Sequence, residues 1–291
     1  MDVALFITCL TDNFAPRVGV AMVKALEHFG CPVAFPAAQT CCGQPMFNNG
    51  LRDDARALAR RMIRVFEPFE YVVTPSGSCA AMIREHYRDL FDSDRDRSAA
   101  AQLAAKTYEF VDFLNGVLKI DWASRAPCVD AHVTYHYSCH LRGIGQTDAT
   151  ERVLTALPGL TYTPLATREQ CCGFGGAFAL KFASVSAALA RDKVADIAAT
   201  GADTLICNEA GCGMHIAGAC RRAGVNVRVC SLAELLADAL HDRTRSGPRP
   251  ARPNTAGSGP RIAQPNTAGS GPRLAQPNTA GNGPRPARPN T

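Results

Sequence analysis

A cysteine pattern that occurs twice constrains the fold of this chain more than any other feature. The tripeptide CCG begins at Cys41 and again at Cys171, 130 residues later. In each half 31 residues separate a single cysteine from CCG, and 36 or 39 residues separate the second cysteine of CCG from another cysteine. Such self-similarity indicates two copies of one structural module. The paired cysteines are Cys9, Cys41, Cys42 and Cys79 in the first half and Cys139, Cys171, Cys172 and Cys212 in the second.

Strand-like and helix-like segments alternate in both halves, which predicts an α/β fold with parallel sheets built from βαβ units. We therefore expect two similar modules related by a pseudo-two-fold internal repeat. Apolar residues at helical spacing in 99–118 predict one packing helix between them. The predicted domains are a first module at 1–96, a linking helix at 97–130, a second module at 131–240 and a tail at 241–291. Strands are predicted at 3–8, 33–35, 71–74, 133–138, 161–165 and 204–207, with a last one in 225–230, and helices at 16–29, 51–66, 150–157, 184–200 and 232–240, with others opening near 79 and 212.

The C-terminal segment repeats a 12-residue unit rich in proline, glycine and arginine, with Gly247, Gly259, Gly271 and Gly283 in register. This composition has little to bury and predicts a disordered tail. The repeats from Ser246 onward carry six arginines and no acid, so without them the formal charge falls from +5 to −1. A folded part without excess positive charge argues against a nucleic-acid partner.

The chain has no run of 18 apolar residues and no signal-peptide pattern at its start, so we predict a cytoplasmic protein without a membrane span. Thirteen cysteines in a reducing compartment indicate metal or redox chemistry rather than a disulfide framework. Cysteines without a partner in the other half are interpreted as packing residues, and Cys207 is left open between packing and ligation. The cysteines that have no sequence counterpart in the other half are Cys31, Cys128, Cys220 and Cys230.

Each paired cysteine follows a predicted strand. Loops at the carboxyl ends of parallel strands line a common crevice, so the four thiols of a module are expected to meet there. A disulfide between Cys41 and Cys42 would be strained, because adjacent Cα atoms are about 3.8 Å apart. Zinc sites favour thiols two to four residues apart, a spacing absent from both CCG motifs. An iron–sulfur cluster fits better, since neighbouring thiolates can each bind a different iron and the glycine allows close N–H donors.

The segments "FITCLTDNF", "FPAAQTCCGQPMFNNG", "PSGSCAAMIREHY", "YHYSCHLRGIG" and "QCCGFGGAFALK" resemble the cysteine-rich CCG-domain family of iron–sulfur proteins. Within that family they are most similar to the lactate-utilisation protein A group, and also to the cysteine-rich subunit of heterodisulfide reductase and the glycolate oxidase iron–sulfur subunit. The resemblance covers residues 1–240. It implies a subunit that acts with two sister proteins, one carrying ferredoxin-like clusters, to oxidise L-lactate to pyruvate. It also implies a cluster of the [4Fe-4S] type in each module, held by the eight paired cysteines.

The chain departs from the fuller family pattern, which ends each module with CxxC. Met82 and His215 stand where the second cysteine of that motif would be. Four thiolates per module remain, with His215 as a candidate non-cysteine ligand. His140, Arg142 and Lys181 lie beside the second set of cysteines and are candidates for binding a substrate carboxylate.

Three functions therefore stay open at this stage. The favoured one is electron transfer by an oxidoreductase subunit. The second is a metal-free dithiol–disulfide oxidoreductase in which a CCG cysteine is the nucleophile. The third is a zinc-stabilised scaffold that holds partner subunits together and catalyses nothing.

Overall fold

The computed structural model describes residues 2–243, which build two four-stranded sheets. We use "first module" and "second module" for the parts of the chain that build the first and second sheet. The predicted tail lies outside the described residues from 244 onward. Within residues 2–243, no helix is both long and apolar enough to cross a bilayer.

The first module alternates strands and helices as the sequence predicts. Pro16 begins the second helix, where its missing N–H costs no hydrogen bond, and Ser76 accepts a hydrogen bond from the Cys79 amide at the start of the fifth. The elements are β1 (Val3–Leu5), α1 (Cys9–Phe14), α2 (Pro16–His28), β2 (Val33–Ala34), α3 (Gln44–Asn48), α4 (Arg52–Phe66), β3 (Tyr71–Thr74), α5 (Gly77–Ala81), α6 (Asp94–Ala105) and β4 (Thr107–Glu109). A π-helical turn, Met82–His86, and a 3-10 turn, Arg88–Leu90, join α5 to α6.

The second module repeats this plan after a short connection. The connection holds α7 (Phe110–Asp112), a π-helical turn (Phe113–Val117) and α8 (Trp122–Arg125). The second module holds β5 (Ala131–Tyr135), a 3-10 turn (Cys139–Leu141), α9 (Ala149–Ala156), β6 (Leu160–Tyr162), α10 (Ala177–Lys181), α11 (Ala183–Thr200), β7 (Thr204–Ile206), α12 (Ala210–Ala223), β8 (Arg228–Cys230) and α13 (Leu232–Arg243).

The strand order is the same in both sheets, and every pairing is parallel. The first sheet runs β2-β1-β3-β4 and the second β6-β5-β7-β8. In each sheet the second strand lies on one side of the first strand, and the third strand lies on the other side. The first and third strands therefore flank a topological switch point. This is where open α/β sheets form a crevice. The predicted fold class, two parallel α/β modules related by an internal repeat, is confirmed.

The segment expected to form one linking helix over 99–118 differs from that prediction. It contains the end of α6, then β4, then α7 and the π-helical turn. The strand β4 pairs in parallel with β3, from Val72 with Thr107 to Thr74 with Glu109. Three residues are too few to show the alternation of side chains that identifies a strand in a sequence. The segment Thr107–Glu109 is extended because it pairs with the open edge of β3.

The two modules share one apolar core. The largest buried cluster includes Met22 and Val73 from the first module and Val133 and Leu236 from the second. Helix α2 of the first module packs against α13 of the second. Burying this apolar surface stabilises the arrangement of both sheets together.

Candidate functional site

The four paired cysteines of the first module converge at the switch point of the first sheet. Cys9 begins α1 after β1, Cys41 and Cys42 precede α3, and Cys79 lies in the first turn of α5 after β3. The Cys9 and Cys41 sulfurs are 3.7 Å apart, and those of Cys42 and Cys79 are 3.2 Å apart. Cys42 and Cys79 are buried, whereas Cys9 is exposed. The set therefore has one closed side and one open side.

The second module brings its four cysteines together in the same way. The Cys171 thiol is hydrogen-bonded to the thiols of Cys139 and Cys172, and the Cys172 thiol is also hydrogen-bonded to that of Cys212. Cys172 and Cys212 are buried, while Cys139 and Cys171 are partly exposed. The structure thus places each sequence-predicted set of four thiols at one point.

The glycine of each CCG motif is required by backbone geometry. Gly43 and Gly173 have φ values of 86° and 88°, a region that other residues rarely adopt. A Cβ on Gly173 would also lie 2.6 Å from the Ser186 carbonyl oxygen. The amides of these glycines point back at the first sulfur of the motif, from Gly43 to Cys41 at 3.4 Å and from Gly173 to Cys171 at 3.3 Å. The glycine therefore supplies both the turn and an N–H donor to a sulfur.

Hydrogen bonding makes the first cysteine of each CCG the most acidic thiol of its set. Hydrogen bonds from Cys42 and Cys9 lower the pKa of Cys41 to about 3. Hydrogen bonds from Cys139 and Cys172 lower the pKa of Cys171 to about 2. The thiol pKa of Cys9 is raised, first by its hydrogen bond to Cys41 and then by burial. The hydrogen bonds of each set therefore favour a thiolate at the first CCG cysteine and disfavour a second thiolate beside it.

Tyr87 holds the first CCG loop and was not singled out from the sequence. Its hydroxyl donates a 2.8 Å hydrogen bond to the Cys42 carbonyl oxygen, and its side chain is fully buried. Burial raises the pKa of this phenol well above its ordinary value. Nothing in the local sequence signals this contact, because Tyr87 lies 45 residues from its partner.

A histidine that the sequence analysis did not select lies with the second set of thiols. A ring nitrogen of His136 and the sulfurs of Cys172 and Cys212 all lie within 4.8 Å of one another. His136 is 2% exposed, and burial lowers its pKa to about 4. His215, the sequence-based candidate, is outside this group, and its Nε2 lies 3.5 Å from Ser186 Oγ.

Cys207 is buried in the second module and is separate from the group of ligand atoms. Its thiol donates to the Glu209 carbonyl oxygen at 3.4 Å. Burial raises its pKa well above the ordinary value. Its position in the first module is taken by Thr74, which is also buried. These observations favour the packing interpretation of Cys207.

Residues that neighbour the two thiol sets contact each other between the modules. Gln44, two residues after Cys42, has its Nε2 3.3 Å from Nε2 of His140, and His140 Nδ1 lies 3.7 Å from the Cys139 sulfur. A cavity of about 420 Å³ opens here, lined by the second set of cysteines and by residues of both modules. Among the predicted substrate-binding residues, His140 and Lys181 line the cavity. Arg142 does not line it, and instead pairs with Glu169 at 3.4 Å.

A family model described as "Cysteine-rich domain" (CCG) matches residues 3–84 and 133–217, the two segments that carry the converging thiols. The chain belongs to the CCG cysteine-rich domain family. Among its relatives, Lactate utilization protein A 2 of Bacillus cereus (strain 03BB102) is 43% identical over 244 residues, which covers 83% of this chain and all of the relative. Lactate utilization protein A of Bacillus licheniformis is 45% identical over 237 residues, covering 81% and 99%. The family recognition made from the sequence is confirmed.

The fold of this CCG protein is also similar to a crystal structure of a hypothetical protein from Helicobacter pylori. The TM-score is 0.57, with 12% sequence identity, and the likeness covers 82% of this chain and 49% of that one. At this identity the likeness shows a common fold and nothing about activity.

Proposed function

We propose that this protein is the iron–sulfur electron-transfer subunit of a complex that oxidises L-lactate, a 2-hydroxy acid, to pyruvate. The observation that carries the proposal is the convergence of two four-thiol sets on the switch points of two equivalent sheets. The lactate assignment is supported by the names of relatives that align along their whole length. A cytoplasmic location, where thiols stay reduced, belongs to the same proposal.

The residues present fit a four-iron cluster in each module. Four thiols are enough to bind one, and the glycine amides donate hydrogen bonds at the sulfurs. The ligands would be Cys9, Cys41, Cys42 and Cys79 in the first module and Cys139, Cys171, Cys172 and Cys212 in the second. Such clusters supply one-electron oxidation and reduction.

Residues of this protein link the surroundings of the two sites and leave part of each thiol set accessible to solvent. Gln44 and His140 bridge the modules between the sites, and Cys9 and Cys139 lie on the more open sides. Since the sequence carries no nucleotide-binding fingerprint, electrons are expected to pass to and from two sister subunits, one of them with ferredoxin-like clusters.

Anaerobic purification with a count of iron and acid-labile sulfide tests this function. We expect about eight irons per chain if each of the two sites holds four. Cys41→Ala and Cys171→Ala should each lower the count by about half. Cys220→Ala is the matched control, because Cys220 is buried on α12 and has no partner in the first module. A folded, iron-free protein that still supports lactate oxidation in the complex would refute the proposal.

Two alternatives each have one observation in their favour. The 3.7 Å separation of the Cys9 and Cys41 sulfurs is close to the roughly 3.8 Å edge of a zinc–thiolate tetrahedron, which favours a zinc scaffold. The low pKa of Cys41 favours a thiol–disulfide oxidoreductase. Stoichiometric zinc would select the first. Metal-free protein with one rapidly alkylated thiol would select the second.

A further inference from the structure

The surroundings of the two thiol sets differ at one position beside the first strand of each sheet. Phe6 and His136 are structurally equivalent, because each amide donates a 2.9 Å hydrogen bond to the neighbouring third strand, at Val73 and Ile206 respectively. Both side chains are buried. The first module therefore has a phenyl ring where the second has an imidazole.

A second difference lies on the long helix that follows each CCG motif. The glycine of CCG contacts Ala55 and Leu58 in the first module, and Ser186 and Leu189 in the second. This alignment of α4 with α11 makes Met62 equivalent to Lys193. Both side chains are fully buried. The second module thus places a buried ammonium where the first has a thioether.

His136 has the features of a metal ligand. Its Nδ1 is buried without a hydrogen-bond partner among the described residues, and an unpaired buried polar atom is costly. A ring nitrogen lies within 4.8 Å of the sulfurs of Cys172 and Cys212. A metal bound between this imidazole and the two sulfurs would make use of a ring that is buried with an unsatisfied Nδ1.

Lys193 is the second buried residue that distinguishes the surroundings of the second site from those of the first. Its Nζ donates to the carbonyl oxygen of Thr167, four residues before Cys171, at 3.1 Å. Burial lowers the pKa of this ammonium, and the negative charges of Asp196, Cys172 and Cys171 oppose that shift. A positive charge buried near a cluster favours the reduced, more negative state, because the interior screens it weakly. The equivalent methionine of the first module has no such effect.

We propose that His136 is a nitrogen ligand of the metal centre in the second module, additional to its four cysteines, so that one iron there takes two protein ligands, and that Lys193 gives this centre the higher reduction potential of the two. The inference rests on the proposed function, in that an iron–sulfur cluster occupies each site. Electrons that enter the protein then collect in the second module, beside the cavity between the modules. His136 is a ligand, whereas Lys193 acts on the centre only through its charge.

Pulsed electron paramagnetic resonance on the full chain tests the ligand. The protein is labelled with ¹⁵N-histidine, purified anaerobically and reduced with dithionite. We expect a nitrogen coupling of the size produced by a directly bound imidazole. The coupling should disappear in His136→Phe, which copies Phe6, and persist in the controls His140→Phe and His215→Phe. Clusters without nitrogen coupling, or a coupling that survives in His136→Phe, would overturn the ligand assignment.

A redox titration followed by the same spectroscopy tests the role of Lys193. Two potentials are expected, and Cys171→Ala should remove the higher one. Lys193→Met, which copies Met62, should lower that potential and leave the nitrogen coupling unchanged. Two centres that titrate at one potential, or no shift in Lys193→Met, would contradict the inference while leaving the proposed function intact. Protein that binds no iron would overturn both.

Discussion

Ser76 Oγ donates a 2.8 Å hydrogen bond to Glu209 Oε1, and these two residues occupy equivalent positions in the two modules. Each lies immediately before the helix that carries the last paired cysteine, α5 with Cys79 and α12 with Cys212. The amide of Ser78 donates to the other carboxylate oxygen of Glu209 at 3.0 Å. Both thiol sites therefore share one buried polar contact between the modules.

Removal of the Glu209 carboxylate should destabilise the whole protein. Glu209→Ala leaves the Ser76 hydroxyl and the Ser78 amide without their acceptor, so the free energy of unfolding should fall by about 2 to 3 kcal/mol. Glu209→Gln keeps an acceptor oxygen and should cost less. Urea unfolding followed by circular dichroism measures the change. The control is Glu169→Ala, whose side chain is 63% exposed. Equal losses in Glu209→Ala and the control would contradict this role.

Close packing around two glycines near the thiol sites predicts that a larger residue at either position destabilises the protein. A Cβ on Gly77 would lie 2.6 Å from Leu141 Cδ2, and one on Gly211 would lie 2.5 Å from Phe174 Cε1. Gly77→Ala and Gly211→Ala should each cost about 1 to 3 kcal/mol through overpacking. A Cβ on Gly218, also in α12, would meet only flexible arginine ends, at 3.6 and 3.9 Å. Gly218→Ala should therefore be neutral or stabilise the helix by about 0.5 to 1 kcal/mol. Thermal unfolding of the three variants would show whether this order holds.

The buried carboxyl of Glu109 should make stability depend on pH. Burial raises its pKa from 4.5 to about 8, although Oε2 accepts hydrogen bonds from the Val111 and Asp112 amides. Between these values the unfolded chain is ionised while the folded one keeps the proton. This residue's contribution to stability is therefore complete below pH 4.5 and is lost as pH rises to 8, by at most about 1.4 kcal/mol per pH unit.

Glu109→Gln removes that proton and should gain stability relative to wild type as pH rises from about 5 to about 8. Denaturant unfolding at three pH values measures the difference. Glu27→Gln is the matched control, because Glu27 is exposed on α2. A stability difference between Glu109→Gln and wild type that stays constant with pH would show that Glu109 is not the titrating group.

Cys207 should be dispensable for metal binding. Its thiol is bonded to a backbone carbonyl, and the first module has Thr74 in its place. Cys207→Thr should keep the full iron content, whereas Cys212→Ala should lose about half. Iron analysis of the two purified variants decides the matter. Iron loss in Cys207→Thr that equals the loss in Cys212→Ala would make Cys207 a ligand.

Much of the fold could be predicted because its signals are local. The strand Tyr71–Thr74 was predicted to the residue, and the helix Pro16–His28 to within one residue. The strand is a short apolar, β-branched run bounded by Glu70 and Pro75, and the helix has apolar residues at helical spacing from Pro16 onward. The strand Thr107–Glu109 was missed, because three residues carry no period and the neighbouring strand decides their conformation.

The repeat of cysteine spacing by itself determined that there are two equivalent modules and which eight thiols meet, because parallel strands bring the loops at their carboxyl ends together. The tertiary structure decided what surrounds those thiols. His136 lies three residues before Cys139, so its sequence position did connect it to the second site, although nothing local showed that it reaches Cys172 and Cys212. Lys193 lies 21 residues after Cys172, and no local pattern connects the two. The roles proposed for these two residues depend on their burial near the second set of thiols. Burial is a property of packing between distant segments rather than of any one segment.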